Sequence, residues 1–83
     1  QGAETKGIKK MKLTPSQIKE IQFQTNMFSD GYFPVDFELT QLCDGAVLLT
    51  VTEYRSLSTE WAGFIVGKRG AFKIAYKSDN FVY

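Results

Sequence analysis

Asp36 and Glu38 stand two residues apart in Val35–Thr40, a stretch that alternates apolar and polar side chains. On a strand that spacing puts both carboxylates on one face, about 7 Å apart. Paired carboxylates can exchange protons or hold a divalent cation. The chain contains no histidine, which removes the commonest general base, a common metal ligand and the near-neutral pH switch together. Its one cysteine, Cys43, precedes Asp44, a neighbour that disfavours the thiolate a nucleophile needs. The expectation is a chain that is not an enzyme and uses no metal or cofactor. Asp36 and Glu38 then serve to pair with Lys73 and Lys77 across a polar sheet face, if their strands are neighbours, and Cys43 is a small buried or half-buried residue.

Gly67-Lys68-Arg69-Gly70 is the second pattern with chemical content. A G-x-x-G loop with basic central residues clamps a nucleic-acid backbone when helices flank it. Here both flanks alternate with period 2, so the segment reads as a hairpin turn. Lys68 and Arg69 would project from its tip, with Lys73 and Lys77 continuing on the return strand. Arg55 and the lysines before the helix would extend this into a basic stripe beside Trp61, Tyr54 and Tyr32. Basic residues interleaved with aromatics suit single-stranded nucleic acid. The formal net charge of only +1 argues for a less basic role than dedicated nucleic-acid domains have.

Seven phenylalanines, four tyrosines and one tryptophan exceed what a core of one helix and one sheet needs. Tyr32, Phe33, Tyr54, Trp61, Phe81 and Tyr83 are therefore candidate surface anchors for another protein. Phe81–Tyr83 could also pair at a sheet edge with a second copy of the chain.

Eighty-three residues make one domain, and 43% hydrophobic residues suffice for a core without disulfides. Stability is expected to be modest, about 5 kcal/mol or less. A lone cysteine excludes an internal disulfide and mildly favours a reducing compartment such as the cytoplasm, with secretion left open. No apolar run approaches the length that spans a membrane. Charge is uneven along the chain. Lys6, Lys9, Lys10 and Lys12 make the start basic; Glu20, Asp30, Asp36, Glu38, Asp44 and Glu53 make the middle acidic; Arg55, Lys68, Arg69, Lys73 and Lys77 make the last third basic. Such asymmetry either steers a charged partner or pairs neighbouring strands.

These residues need a scaffold, and the elements are legible. Residues 1–12 read as a flexible basic segment, a tag remnant or a processed start. Residues 13–83 form the domain. Thr14-Pro15-Ser16-Gln17 is a capping box with proline at the first helical position, and Leu13 and Ile18 form a hydrophobic staple. The helix runs to about Phe28, burying Ile18, Ile21, Thr25 and Phe28 with Met27, and leaving Lys19, Gln22, Gln24 and Asn26 in water. Gly31 suits a left-handed cap. Val35, Phe37 and Leu39 mark a half-buried strand, Asp44-Gly45 a hairpin turn, and Val47, Leu49 and Val51 the next strand. Arg55–Glu60 reads as a loop. Trp61–Val66 is apolar on both faces, which suits a central or doubly covered strand. On Ala71–Lys77, Phe72, Ile74 and Tyr76 share one face and Lys73 and Lys77 the other.

The expected fold is α+β: one N-terminal helix packed on a four-stranded antiparallel sheet built from hairpins, with Phe81–Tyr83 as a candidate fifth strand. The expected function is a small non-catalytic protein-binding module of the inhibitor, adaptor or assembly-factor kind. A nucleic-acid-binding domain using the basic hairpin is the alternative.

Overall fold

The computed structural model of the chain describes residues 11–83. One helix, α1 (Pro15–Ser29), precedes four strands: β1 (Val35–Gln41), β2 (Val47–Tyr54), β3 (Thr59–Val66) and β4 (Phe72–Lys77). The strands lie in the sheet in chain order, each antiparallel to its neighbour. The helix packs on one face, so the α+β architecture is as expected. Most of the basic start, including Lys6, Lys9 and Lys10, lies outside the described residues. Lys12 sits beside the end of β1, its backbone N–H donating to Gln41 Oε1 at 3.1 Å.

The capping box forms as written. The Gln17 N–H donates to Thr14 Oγ1 (3.1 Å), and the Thr14 N–H donates to Gln17 Oε1 (2.9 Å). Two of the helix's unpaired amides are satisfied this way. The far end differs from expectation. Asp30 and Gly31 donate to the carbonyls of Met27 and Phe28 at 3.3 Å, which tightens the last turn, and Gly31 does not adopt a left-handed conformation.

The buried face of α1 is Gln17, Ile21, Gln24 and half-buried Phe28. It is turned by one residue from the stripe through Ile18, which is exposed. Two glutamines explain the rotation. Gln17 is fully buried, and its Nε2 donates to the carbonyls of Gly45 (2.9 Å) and Val66 (3.2 Å). Those carbonyls lie in the β1–β2 turn and at the end of β3, where Val66 pairs Val47 in the ladder and the Gly45 carbonyl also lies 3.5 Å from Gln41 Nε2. Gln24 bonds Glu20 through Nε2 (2.7 Å) and accepts from the Tyr83 hydroxyl (3.2 Å). Burying these amides is tolerable because each finds a partner.

Beneath α1 lie Val47, Leu49 and Val51 of β2 and Ala62, Phe64 and Val66 of β3, all fully buried. Phe37 and Leu39 of β1 and Phe72 of β4 close the flanks. Gly45 takes φ +89° in the β1–β2 turn, a conformation costly for any residue with a Cβ, and the Lys68 stem lies directly across it.

The β3–β4 ladder slips. Phe64 pairs Ile74, but Gly63 pairs Tyr76, so Ala75 is left over as a bulge. Side-chain parity reverses beyond it. Tyr76 joins Lys73 on the face away from α1, and Lys77, paired with Ala62, falls on the helix side. The strict alternation expected for Ala71–Lys77 therefore fails at one residue. β3 also starts earlier than expected, at Thr59, shortening the preceding loop to Arg55–Ser58.

Phe81–Tyr83 forms no fifth strand. The chain turns at Ser78–Asn80 and folds back over the core. Phe81 is 3% exposed, with its ring 6.0 Å from Phe28 and 6.3 Å from Phe64. Tyr83 closes the gap between helix and sheet, 4.9 Å from Phe64 and 5.6 Å from Phe28. Burial of the Phe81 ring, with the ring contacts that Tyr83 adds from the rim, outweighs a short edge pairing.

Gln17→Ala is expected to lower the unfolding free energy by about 1–3 kcal/mol, because it removes the two hydrogen bonds that the buried amide donates to Gly45 and Val66. Urea denaturation checks this. An exposed control, Gln22→Ala, should change stability by less than about 0.5 kcal/mol.

Candidate functional site

A sheet has two faces, and α1 covers one. The other carries three cross-strand rows given by the register. Thr40, Leu48, Ile65 and Lys73 form one row; Glu38, Thr50, Gly63 and Tyr76 the next; Asp36, Thr52 and Trp61 the third. Leu48 and Ile65 are half-buried by their neighbours, while Trp61 is 48% and Tyr76 43% exposed. Tyr54 adds a further exposed ring where the third row ends. β3 is thus central but covered on one side only. Its second apolar face faces outward.

Each side chain on this face has a local reason for its position. Gly63 is the place where the sheet lacks a side chain, and the Tyr76 ring lies flat in that space. A Cβ at Gly63 would collide with the ring. The Tyr76 hydroxyl lies 3.4 Å from Thr50 Oγ1, so the ring spans two strands. A glycine inside a strand commonly marks such a close approach, and aromatic cover of a strand glycine restores the lost packing. Trp61 is held through its backbone: its N–H donates to Ser78 Oγ (3.1 Å), and its carbonyl accepts from the Ser78 N–H (2.8 Å). The Tyr54 hydroxyl donates to Asp36 Oδ2 at 2.8 Å. This hydrogen bond, and the carboxylate charge behind it, push the Tyr54 phenol above its ordinary range.

Asp36 and Glu38 share the open face, as their spacing implies, but they do not meet Lys73 or Lys77. β1 and β4 are opposite edges of the sheet, three strand spacings or roughly 14 Å apart. Glu38 makes no side-chain hydrogen bond or ion pair among the described residues, and neither does Lys73. The one ion pair among the described residues is Arg55–Glu53 at 2.6 Å.

The basic residues are scattered. Lys68 and Arg69 are exposed at the β3–β4 turn, which is docked rather than projecting: the Lys68 carbonyl accepts from Thr14 Oγ1 at 2.6 Å. Lys73 and Lys77 lie on different faces. Arg55 binds Glu53 through Nε and Nη2, reaches the Asn80 carbonyl at 3.3 Å, and lies over the Phe33 ring at 5.3 Å. No single stripe joins these cations.

The six aromatic candidates separate likewise. Tyr54 and Trp61 lie on the open face. Tyr32 is fully exposed after α1, Phe33 lies under Arg55, Phe81 is in the core and Tyr83 seals the helix–sheet gap. Leu48, Ile65 and Tyr76 were not singled out from the sequence. Gly63 inside an apolar strand was the available signal for Tyr76. Cys43 is exposed in the β1–β2 turn rather than buried, since the turn lies past the end of the ladder. Among the described residues no cluster of three His, Cys, Asp or Glu side chains is placed to hold a metal, and no helix is long and apolar enough to cross a membrane.

The end of the sheet nearest Trp61 rests on a carboxylate. Glu60 stands opposite Glu53 on the helix side, an unfavourable like-charge pairing on its own. Ser78 Oγ donates to Glu60 Oε1 (2.6 Å) and Ser58 Oγ to Oε2 (2.7 Å), while Arg55 neutralises Glu53. The Ser78 and Ser58 bonds hold the Glu60 carboxyl below its ordinary value, although burial acts in the opposite direction.

No family model matches the chain, and no curated protein or solved structure matches it. The arrangement of the open face is therefore the ground for function.

Glu60 is more acidic folded than unfolded, so its contribution is present above the ordinary glutamate range and is lost as pH falls through the lowered folded value. Urea midpoints measured between neutral pH and about pH 3 should fall on acidification beneath about pH 4.3. Glu60→Gln should lower the neutral midpoint and flatten that acid limb. An acid limb unchanged by Glu60→Gln would place the linkage elsewhere.

Proposed function

We propose that the chain is a non-catalytic protein-binding module whose working surface is the open sheet face. The observation that carries this reading is the set of apolar and aromatic side chains, Leu48, Ile65, Trp61 and Tyr76, that the described residues leave half-covered or exposed on the central and β4 strands. Contiguous apolar surface of this kind marks interaction sites on small soluble domains. Threonines 50 and 52 run between these residues, and charged groups stand only at the two edges. An apolar centre with a polar rim is the anatomy of a protein interface. Trp and Tyr in such a centre act as anchors because they bury much area with few rotatable bonds.

Nucleic acid fits this face less well. Asp36 and Glu38 would repel phosphates across its whole β1 side, and the cations sit at separate places. Lys68, Arg69, Lys73 and Lys77 thus define the competing outcome of the test.

A photocrosslinking side chain at Thr50, in the middle of the face, should yield protein adducts in extract of the source cells. Combining Trp61→Ala with Tyr76→Ala should remove most of them while leaving the circular dichroism spectrum intact. Nucleic-acid adducts that vanish in salt, and with Lys68→Ala and Arg69→Ala, would transfer the site to the hairpin reading. Adducts no stronger than those from the same side chain at Gln22 would overturn the proposal.

A further inference from the structure

Glu38 and Lys73 are opposite charges on the same open face, at opposite edges, too far apart to meet within one molecule. We infer that the occupant of this face is a second copy of the chain, docked sheet to sheet about a two-fold axis parallel to the strands. The inference rests on the reading of the face given above and names its partner.

The symmetry follows from the register. A two-fold axis along the strand direction exchanges left and right and preserves height. It lays β1 over the partner's β4 and β2 over the partner's β3. Glu38 then faces the partner's Tyr76, in the same row, and lies one row of about 7 Å from the partner's Lys73. A lysine stem covers that distance. At the centre Leu48 meets the partner's Ile65, and Thr52 meets the partner's Trp61. Every such contact occurs twice, so the interface is self-complementary and closes at two chains.

The alternatives are disfavoured by the same residues. A two-fold axis across the strands would lay β1 on the partner's β1 and set Glu38 near Glu38. Antiparallel β4–β4 edge pairing would have to run through the bulge at Ala75, which disrupts that edge. The open face covers roughly 450 Å² in plan, from four strands ~4.8 Å apart and about seven residues of ~3.3 Å each. With side-chain relief two copies bury on the order of 1,200 Å², the lower end of specific interfaces. A weak dimer in the micromolar range is the expectation, with aligned sheets about 10 Å apart.

Sedimentation equilibrium on the full chain, across concentrations from micromolar to about millimolar, should show monomer and dimer and nothing larger. Glu38→Lys and Lys73→Glu should each weaken dimerisation at least about ten-fold, by setting like charges together. An equimolar mixture of these two variants should recover it as a heterodimer, since each then supplies the charge the other needs. Thr50→Arg, at the centre of the face, should abolish it without changing the fold.

A monomer at all concentrations overturns the inference, as does a mixture that fails to recover. Species that grow beyond the dimer, or association unaffected by Thr50→Arg, would mean β1-to-β4 edge pairing and overturn it equally. If Thr50 crosslinks to other proteins while the chain stays monomeric, only the identity of the partner fails, and the face remains a docking surface.

Discussion

One helix cannot cover a four-stranded sheet on both sides. α1 has fifteen residues, about 22 Å of length, and its apolar stripe meets a single sheet face. The apolar core of the described residues lies between these two layers. The opposite face must then be either polar throughout or meant for something else, and this one is neither fully polar nor fully apolar. Leu48, Ile65, Trp61 and Tyr76 sit in its middle, with Glu38 and Lys73 at its margins. In a chain this small, leaving such area uncovered gives up stabilisation that the fold has little of. That sacrifice is what turns the open face into the functional question.

The covered side is held by polar groups as much as by rings. Gln17 joins the start of the helix to the β1–β2 turn and the end of β3 through one amide. Glu60, Ser58 and Ser78 do the corresponding work at the opposite end, tying the segment after β4 to β3 and fixing the backbone of Trp61. Phe28, Phe64, Phe81 and Tyr83 fill the space between. The open face is therefore presented by strands anchored at both ends, which reduces the ordering cost of any partner's arrival.

Several site residues took their places through irregularities. The bulge at Ala75 moved Tyr76 outward onto Gly63 and sent Lys77 to the other side. With regular pairing, Tyr76 would have pointed toward the helix layer, and Lys73 and Lys77 would have formed the basic row expected from alternation. Parity along a strand is a period-2 rule, and one inserted residue inverts it for everything beyond. Phe81 illustrates a different limit. Its aromatic character was equally consistent with an exposed anchor and a core residue, and only the return of the chain over Phe28 and Phe64 decided for the core.

Residue types and spacing settle the local elements: the capping box at Thr14–Gln17, the period change after Gly31, the turns at Asp44-Gly45 and Gly67–Gly70, and the antiparallel order that hairpin-length links impose. These depend on groups within a few residues of one another, so composition and spacing are enough to read them. The tertiary structure alone decided which face of α1 is buried, because Gln17 and Gln24 find their partners 28, 49 and 59 positions away along the chain. It alone decided that β1 and β4 are opposite edges, and so that Glu38 and Lys73 stand apart rather than paired. Distances between charges on a sheet are set by strand order, and strand order is a property of the whole chain.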